Sequence, residues 1–258
     1  MAKIYKEIDF SKYSSVKIGG VEKVEILDEN SDFNGFVIGG ANNLLISDNP
    51  PKLGILSDKF DFIALDGDIF QIGGRTKSAK IYNFAKQQNL ANFEFLKNIP
   101  GTLGGLLTMN AGLMGFEISQ NLISVRTNKG EFGKDELNFA YRHSEIKGII
   151  LEAKFRVSHG FNALLSDEVA KKRANQPKGA SFGSCFKNPN GDSAGRLIEA
   201  VGLKGFKIGN CGFSEIHANF LINYGGGKFD EAIALINLAK KRVYEQFGIN
   251  LQEEVVIL

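Results

Sequence analysis

The chain has 258 residues, 43% hydrophobic and 23% charged, enough material for one large domain or two modest ones with real cores. Its 31 basic and 29 acidic residues are well mixed and leave a net charge of +2, which gives no support to a nucleic-acid or membrane-surface partner. Three scattered histidines (His143, His159, His217) and two cysteines (Cys185, Cys211) show no metal-binding spacing, and "MAKIYKEIDF" shows no export signal, so the expectation is no metal, free thiols and a cytoplasmic location.

In chain order, "VEKVEIL" (21–27) reads as a short strand, and "FVIGG" (36–40) and "IFQIGG" (69–74) run from strand-forming residues into glycine pairs. "TKSAKIYNFAKQQNL" (76–90) predicts a helix with Thr76 as its cap. The run from Asn98 to Phe116 is uncharged and barely long enough to span a bilayer. Within it Pro100, Gly101, Gly104, Gly105 and Gly112 weaken a helix, and Asn98 and Asn110 would need partners in hydrocarbon. It reads as a buried loop leading into a short helix.

"IILEAKFRV" (149–157) is the next clear strand. After Val157, "SHGFNALLSDEVAKKRANQPKG" shifts to a polar linker and a basic helix, which marks the expected domain boundary. From Phe229 to Phe247, apolar residues at 229, 233, 236, 243 and 247 trace a helix face, with Asp230 and Glu231 in its first turn and Gly248 just beyond its end. Strands alternating with helices predict an α+β or α/β layout.

Two glycine loops suit a phosphate-bearing cofactor. "GGANNLLISD" (39–48) follows a strand, and "IPGTLGG" (99–105) precedes an apolar segment. Glycine lets backbone N–H groups approach an anion closely, and a helix N-terminus adds a favourable dipole. Neither loop carries a lysine, so backbone donors must do the binding, which suits a pyrophosphate better than a transferable phosphate. Neither matches the Walker or the G-x-G-x-x-G pattern, so an ordinary Rossmann site is disfavoured. Either loop alone reads as a plain tight turn.

"GGANNLLISD", "FEFLKNIPGTLGGLLTMNAG" and "YRHSEIK", in this order, resemble the flavin domain of the UDP-N-acetylenolpyruvoylglucosamine reductase (MurB) family. "GSCFKNP" (183–189), "AGRLIEAVGLKGFKIGNCGFSEIHANFLIN" (194–223) and "LQEEV" (251–255) resemble its substrate domain and closing strand. The likeness runs from roughly residue 15 to residue 256 and follows the compact branch, which lacks an extra tyrosine-bearing loop. It implies an α+β chain: a vanillyl-alcohol-oxidase-like (PCMH-type) FAD-binding fold with a C-terminal α/β substrate domain. Residues 1–157, completed by the strand 249–258, would bind FAD, and 158–248 would bind substrate.

The resemblance also implies a reaction, the NADPH-dependent, FAD-mediated reduction of UDP-N-acetylglucosamine enolpyruvate to UDP-N-acetylmuramate in peptidoglycan precursor synthesis, by a cytoplasmic monomer with no membrane insertion. Its FAD positions fall on Gly39, Gly40, Ala41, Asn42, Asn43 and Leu44, and on Pro100, Gly101, Thr102, Gly104, Gly105, Asn110 and Gly112. Arg142 matches the arginine that would clamp the developing aci-carboxylate at two points, as a lysine cannot. Ser184 matches the proton donor and Glu254 the functional glutamate beside the same group, while Tyr141, Lys187 and Asn188 match substrate contacts. Read alone, Arg142 closes a turn, Ser184 is a turn residue and Glu254 faces solvent from a final strand.

The sequence departs from the family at three places. Ala41 stands where a serine is usual, "LQEEV" replaces "LEPEV", and Asn175 replaces a basic residue before Pro177. The cation facing the diphosphate is therefore open among Lys171, Lys172, Arg173 and Lys178. Two rival readings are an oxidase of the same fold and a nucleotide-sugar binding protein without catalysis. "GSCFKNP" with "HANF" disfavours the first, and Arg142, Ser184 and Glu254 together disfavour the second.

Overall fold

In the computed structural model, which describes residues 3–174 and 176–258, the run Val21–Leu27 is a strand along its whole length. It lies in a four-stranded sheet ordered Tyr5–Asp9, Val21–Leu27, Leu53–Leu56, Phe36–Ile38, whose strand Leu53–Leu56 runs parallel to both neighbours. A five-stranded antiparallel sheet is ordered Gly130–Gly133, Leu122–Thr127, Ile150–Arg156, Ile69–Gly73, Ile63–Asp66.

The chain divides into two units. The first holds Met1–Lys6, Val24–Gly40 and Lys52–Ala174; the second holds Glu7–Lys23, Ala41–Pro51 and Asn175–Leu258. In the first, Phe70, Phe93 and Phe155 meet edge to face, with centroids 5.2 and 5.7 Å apart, and anchor an apolar core. The helix Ser78–Gln87 sends Ile81 and Ala85 into that core. Its start corrects the expected cap. Thr76 donates its hydroxyl to the Phe62 carbonyl (2.9 Å) and Lys77 takes the N-cap position, because Thr76 is spent on tying the preceding turn. The unit boundary falls after Ala174, beyond the composition shift at Val157. The helix Ala163–Ala174 buries Val169 in the first core, and its Asp167 pairs with Lys97 at 2.8 Å.

The second unit is built on a three-stranded antiparallel sheet, Lys207–Ile208, Cys211–Phe213 and Leu221–Asn223, with the helices Ala194–Ala200 and Phe229–Phe247. The long helix has the predicted bounds. It buries Ala232, Leu235, Ile236, Ala239 and Val243, and ends on Gly248 in the left-handed conformation (φ 68°), whose amide donates to the Tyr244 carbonyl at 2.8 Å. The closing strand Val256–Ile257 runs parallel to Leu44–Leu45. Cys185 and Cys211 are free and buried; burial pushes the Cys185 thiol well up and the Cys211 thiol to about 12, so both stay protonated.

Candidate active site

The first glycine loop follows the strand Phe36–Ile38. Gly39 is bare because a Cβ there would lie 2.5 Å from Thr102 Oγ1. Ala41 adopts φ +48° with its methyl buried, and its carbonyl accepts from Ser15 (3.1 Å). Asn42 Nδ2 donates to Ser15 Oγ (2.5 Å), and Asn43 Nδ2 donates to the Glu254 carbonyl (2.8 Å). Leu44 begins the strand that pairs with Val256. Among the described residues the amides of Ala41 and Asn42 donate to no protein group, which leaves two N–H dipoles for an anion.

The second loop runs from Pro100 through Gly101 (φ +136°), whose carbonyl accepts from Ser78 (3.0 Å), to Thr102 at the N-cap of the short helix Leu103–Thr108. A loop does lead into a short helix, but it is not the buried loop expected: Asn98 and Pro100 are exposed and Ile99 and Gly101 half-buried, because only the helix face from Leu103 on enters the core. The glycines also divide. The Gly104 amide donates to the Gly74 carbonyl at 2.8 Å, and a Cβ at Gly104 would lie 3.2 Å from that oxygen. Gly104 is thus bare for backbone packing. The nearest atom to a Cβ at Gly105 is Thr102 Oγ1 at an ordinary 3.8 Å, and the Gly105 amide has no acceptor among the described residues.

Asn110 is fully buried at φ +41°. Its Nδ2 donates to Glu117 Oε2 (2.9 Å) and to the Ala140 carbonyl (3.1 Å). Both neighbours are acceptors only, so the amide cannot be turned round. Its Oδ1 is then left, among the described residues, as a buried oxygen with no hydrogen-bond partner. Ala140 and His143 exchange backbone hydrogen bonds (3.1 Å each), closing a turn with Tyr141 and Arg142 at its tip. Arg142 sits there at φ +54°, half-buried, with its guanidinium 5.0 Å from the Tyr141 ring and donating to the Gly112 carbonyl at 3.3 Å. A bulky residue held in the left-handed region is an outlier that marks a constrained site.

In the second unit, Ser184 pairs with Phe220, and Phe186 pairs with Glu253. The Glu254 amide donates to the Cys185 carbonyl (2.9 Å) and the Lys187 amide to the Gln252 carbonyl (2.9 Å). Lys240 holds the Glu253 carboxylate at 2.6 Å. Asn188 Oδ1 is occupied by the Ala194 amide (3.1 Å), so its Nδ2 is the end that can serve a ligand. Of the four candidate cations, Lys171, Lys172 and Arg173 end the helix Ala163–Ala174, and Lys178 belongs to the second unit. Lys178 and the other two lysines are exposed. Arg173 is half-buried, and burial lowers its pKa. Asn175 lies outside the described residues.

A family model described as UDP-N-acetylenolpyruvoylglucosamine reductase, C-terminal domain, matches residues 175–258. Over 256 residues the chain is 54% identical to the UDP-N-acetylenolpyruvoylglucosamine reductase of Campylobacter jejuni, covering 97% of this chain and 99% of that one. The chain belongs to the UDP-N-acetylenolpyruvoylglucosamine reductase family. The reductase of Helicobacter pylori is 45% identical over 253 residues, covering 97% and 98% of the two chains. The crystal structure of the family's enzyme (MurB) from Thermus caldophilus superposes with a TM-score of 0.86 at 28% identity, covering 99% of each chain. The fold is accordingly the PCMH-type FAD-binding fold with its C-terminal domain, and the protein is a flavin-dependent oxidoreductase of cell-wall precursor synthesis.

The residues fit a flavin. The orphaned Asn110 Oδ1 calls for an N–H or O–H donor, and a flavin carries both on its ring and ribityl chain. In the second unit the amides of Ala41 and Asn42 suit a phosphate, and in the first the amide of Gly105 does. Among the described residues no group of three or more His, Cys, Asp or Glu side chains could hold a metal, and no helix is long and apolar enough to cross a membrane. Two polar residues of this architecture carried no sequence signal of their own. Glu117 holds Asn110, and Asn219, inside the "HANF" motif, binds the Ser184 segment.

Proposed function

We infer that the protein reduces UDP-N-acetylglucosamine enolpyruvate to UDP-N-acetylmuramate with NADPH as electron donor and FAD as the bound flavin. The observation that carries this reading is the Glu254-to-Cys185 hydrogen bond, which sets the two expected proton-handling residues, Ser184 and Glu254, on adjoining segments of one unit. Bound FAD would supply the hydride-transfer chemistry between NADPH and the substrate alkene.

The protein's own groups do the rest. Arg142 grips the substrate carboxylate as charge moves onto it, and its constrained backbone keeps the guanidinium aimed. Glu254 helps to polarise or protonate the same group. Ser184 gives its hydroxyl proton to the substrate carbon and regains one from solvent, so hydride and proton together saturate the double bond. Gly39 to Leu44 and Pro100 to Gly112 hold the FAD, with Asn110 Oδ1 accepting from it. Lys187 and the Nδ2 of Asn188 serve the diphosphate, and Tyr141 is a further substrate contact. Residues 1–157 with 249–258 serve the flavin and 158–248 the nucleotide sugar. The reading is of a monomeric enzyme in the cytoplasm with no membrane insertion.

The test is the visible spectrum of the purified protein during anaerobic NADPH titration. A yellow protein should bleach on titration and regain colour when the enolpyruvate is added. A colourless protein that takes up no FAD ends the reading.

A further inference from the structure

The "HANF" motif contains a side chain to which the reaction gives no role. Asn219 is 3% exposed, and both ends of its carboxamide are spent on one residue. Its Oδ1 accepts from the Phe186 amide at 2.9 Å, and its Nδ2 donates to the Phe186 carbonyl at 2.8 Å. Its backbone carbonyl accepts from the Cys185 amide at 2.7 Å. On the opposite flank, the Cys185 carbonyl accepts from Glu254 and the Lys187 amide donates to Gln252.

Residues 184–187 therefore run as a short central strand between 219–220 and 252–255. One flank is an ordinary backbone ladder. The other is completed by a side chain imitating a backbone amide. Donor faces acceptor at both of its ends, so a slip of one residue would turn the paired N–H and C=O to the other flank, leave the carboxamide without its partners and turn Ser184 to the other face. His217 steadies the asparagine in turn: its Nδ1 accepts from the Asn219 amide (3.2 Å), and its ring lies 5.0 Å from that of Phe220.

We propose that Asn219 is a positioning residue for proton transfer, fixing the register of 184–187 so that the Ser184 hydroxyl faces the substrate carbon. This rests on Ser184 being the proton donor. Asn219 touches neither cofactor nor substrate; it acts through the segment it holds.

Asn219→Asp keeps the size and the acceptor but sets a carboxylate oxygen against the Phe186 carbonyl. While ionised, the two oxygens repel; once protonated, the aspartate O–H restores the missing donor. Anaerobic stopped-flow absorbance of the holoenzyme reads both half-reactions. Flavin reduction by NADPH should stay within about twofold of wild type. Re-oxidation by the enolpyruvate should slow roughly 10–100-fold at about pH 8, the scale of a misplaced reacting group. The deficit should shrink as the pH falls and the aspartate protonates. Asn219→Ala, which carries no charge, should show the same partition without pH recovery, and it serves if the aspartate variant does not fold.

Equal slowing of both half-reactions overturns the positioning role. So does unchanged re-oxidation in both variants while Ser184→Ala slows it, an outcome that leaves the serine's role standing. If Ser184→Ala itself re-oxidises at the wild-type rate, the serine reading fails and this one fails with it.

Discussion

The amide of Glu254 donates to the carbonyl of Cys185 at 2.9 Å, one residue from Ser184. A serine and a glutamate separated by 69 intervening positions in the sequence are thus brought onto adjoining segments by backbone pairing alone. Substitution of either side chain should leave that pairing, and hence the fold, intact. Ser184→Ala should leave flavin reduction by NADPH nearly unchanged and slow re-oxidation by roughly 10²–10⁴-fold, the usual worth of a positioned general acid. Stopped-flow absorbance separates the steps, and equal slowing of both would make the serine a structural residue.

Arg142 combines strain with its proposed role. At φ +54° it occupies a conformation that costs a non-glycine residue about 1–2 kcal/mol. Arg142→Gly should therefore fold with a thermal midpoint equal to or above wild type, although glycine's extra freedom when unfolded offsets part of the gain. Turnover should collapse in the same variant, and Arg142→Lys should lose most of it by giving up two-point carboxylate binding. Near-normal turnover in the lysine variant removes Arg142 from the site.

The two glycines at the head of the short helix should answer substitution differently. Gly104→Val drives a branched side chain into the Gly74 backbone and should cost roughly 1–3 kcal/mol of stability as well as FAD. Gly105→Ala meets only an ordinary contact at 3.8 Å, so it should melt near wild type while FAD affinity falls. Calorimetry paired with FAD titration reads both, and wild-type FAD affinity in Gly105→Ala would show that no phosphate approaches there.

Asn110→Leu removes the orphaned oxygen together with the bonds to Glu117 and Ala140. Added FAD should raise the melting temperature of the wild-type apoprotein, because a ligand that binds only the folded form stabilises it. The leucine variant should show little or no such rise. A full rise would place the cofactor elsewhere.

Glu152, 7% exposed, receives Arg126 at 2.7 Å and Gln71 at 2.7 Å. The guanidinium holds its carboxyl below the ordinary glutamate value of 4.5. A group with a depressed folded-state pKa contributes stability that is complete above its unfolded value and is lost as the pH falls through the folded one. Thermal midpoints should therefore drop below about pH 4.5, and Glu152→Gln should flatten that part of the curve. An unchanged acid limb would assign the loss to other carboxylates.

The long helix Phe229–Phe247 was legible because its signals are local: apolar periodicity, charges in the first turn, a terminal glycine. The strand Val21–Leu27 was legible from its β-branched residues. The helix start at Ser78 was not, because Thr76 satisfies its hydroxyl on Phe62, fourteen residues away in the chain, and no local pattern reports that. Arg142, Ser184 and Glu254 could be named only through the family resemblance, since each alone looks like an ordinary surface residue. Asn219 and the distinction between Gly104 and Gly105 were invisible for a different reason. They depend on which backbone groups lie opposite, a property of the fold rather than of the motif.

The second unit takes its residues from three stretches, 7–23, 41–51 and 175–258, with 123 residues of the first unit intervening between the last two. Val16, Ile18 and Leu45 belong to a core whose other members all lie at or beyond Phe182. During synthesis these three apolar side chains leave the ribosome long before anything exists to cover them, whereas the stretch 52–174 can build its antiparallel sheet as it emerges. The early segments must wait with their apolar faces bare, and their closure over so long an intervening loop is slow. This interval, more than the finished structure, is where the nascent chain is most exposed to aggregation and most in need of a chaperone.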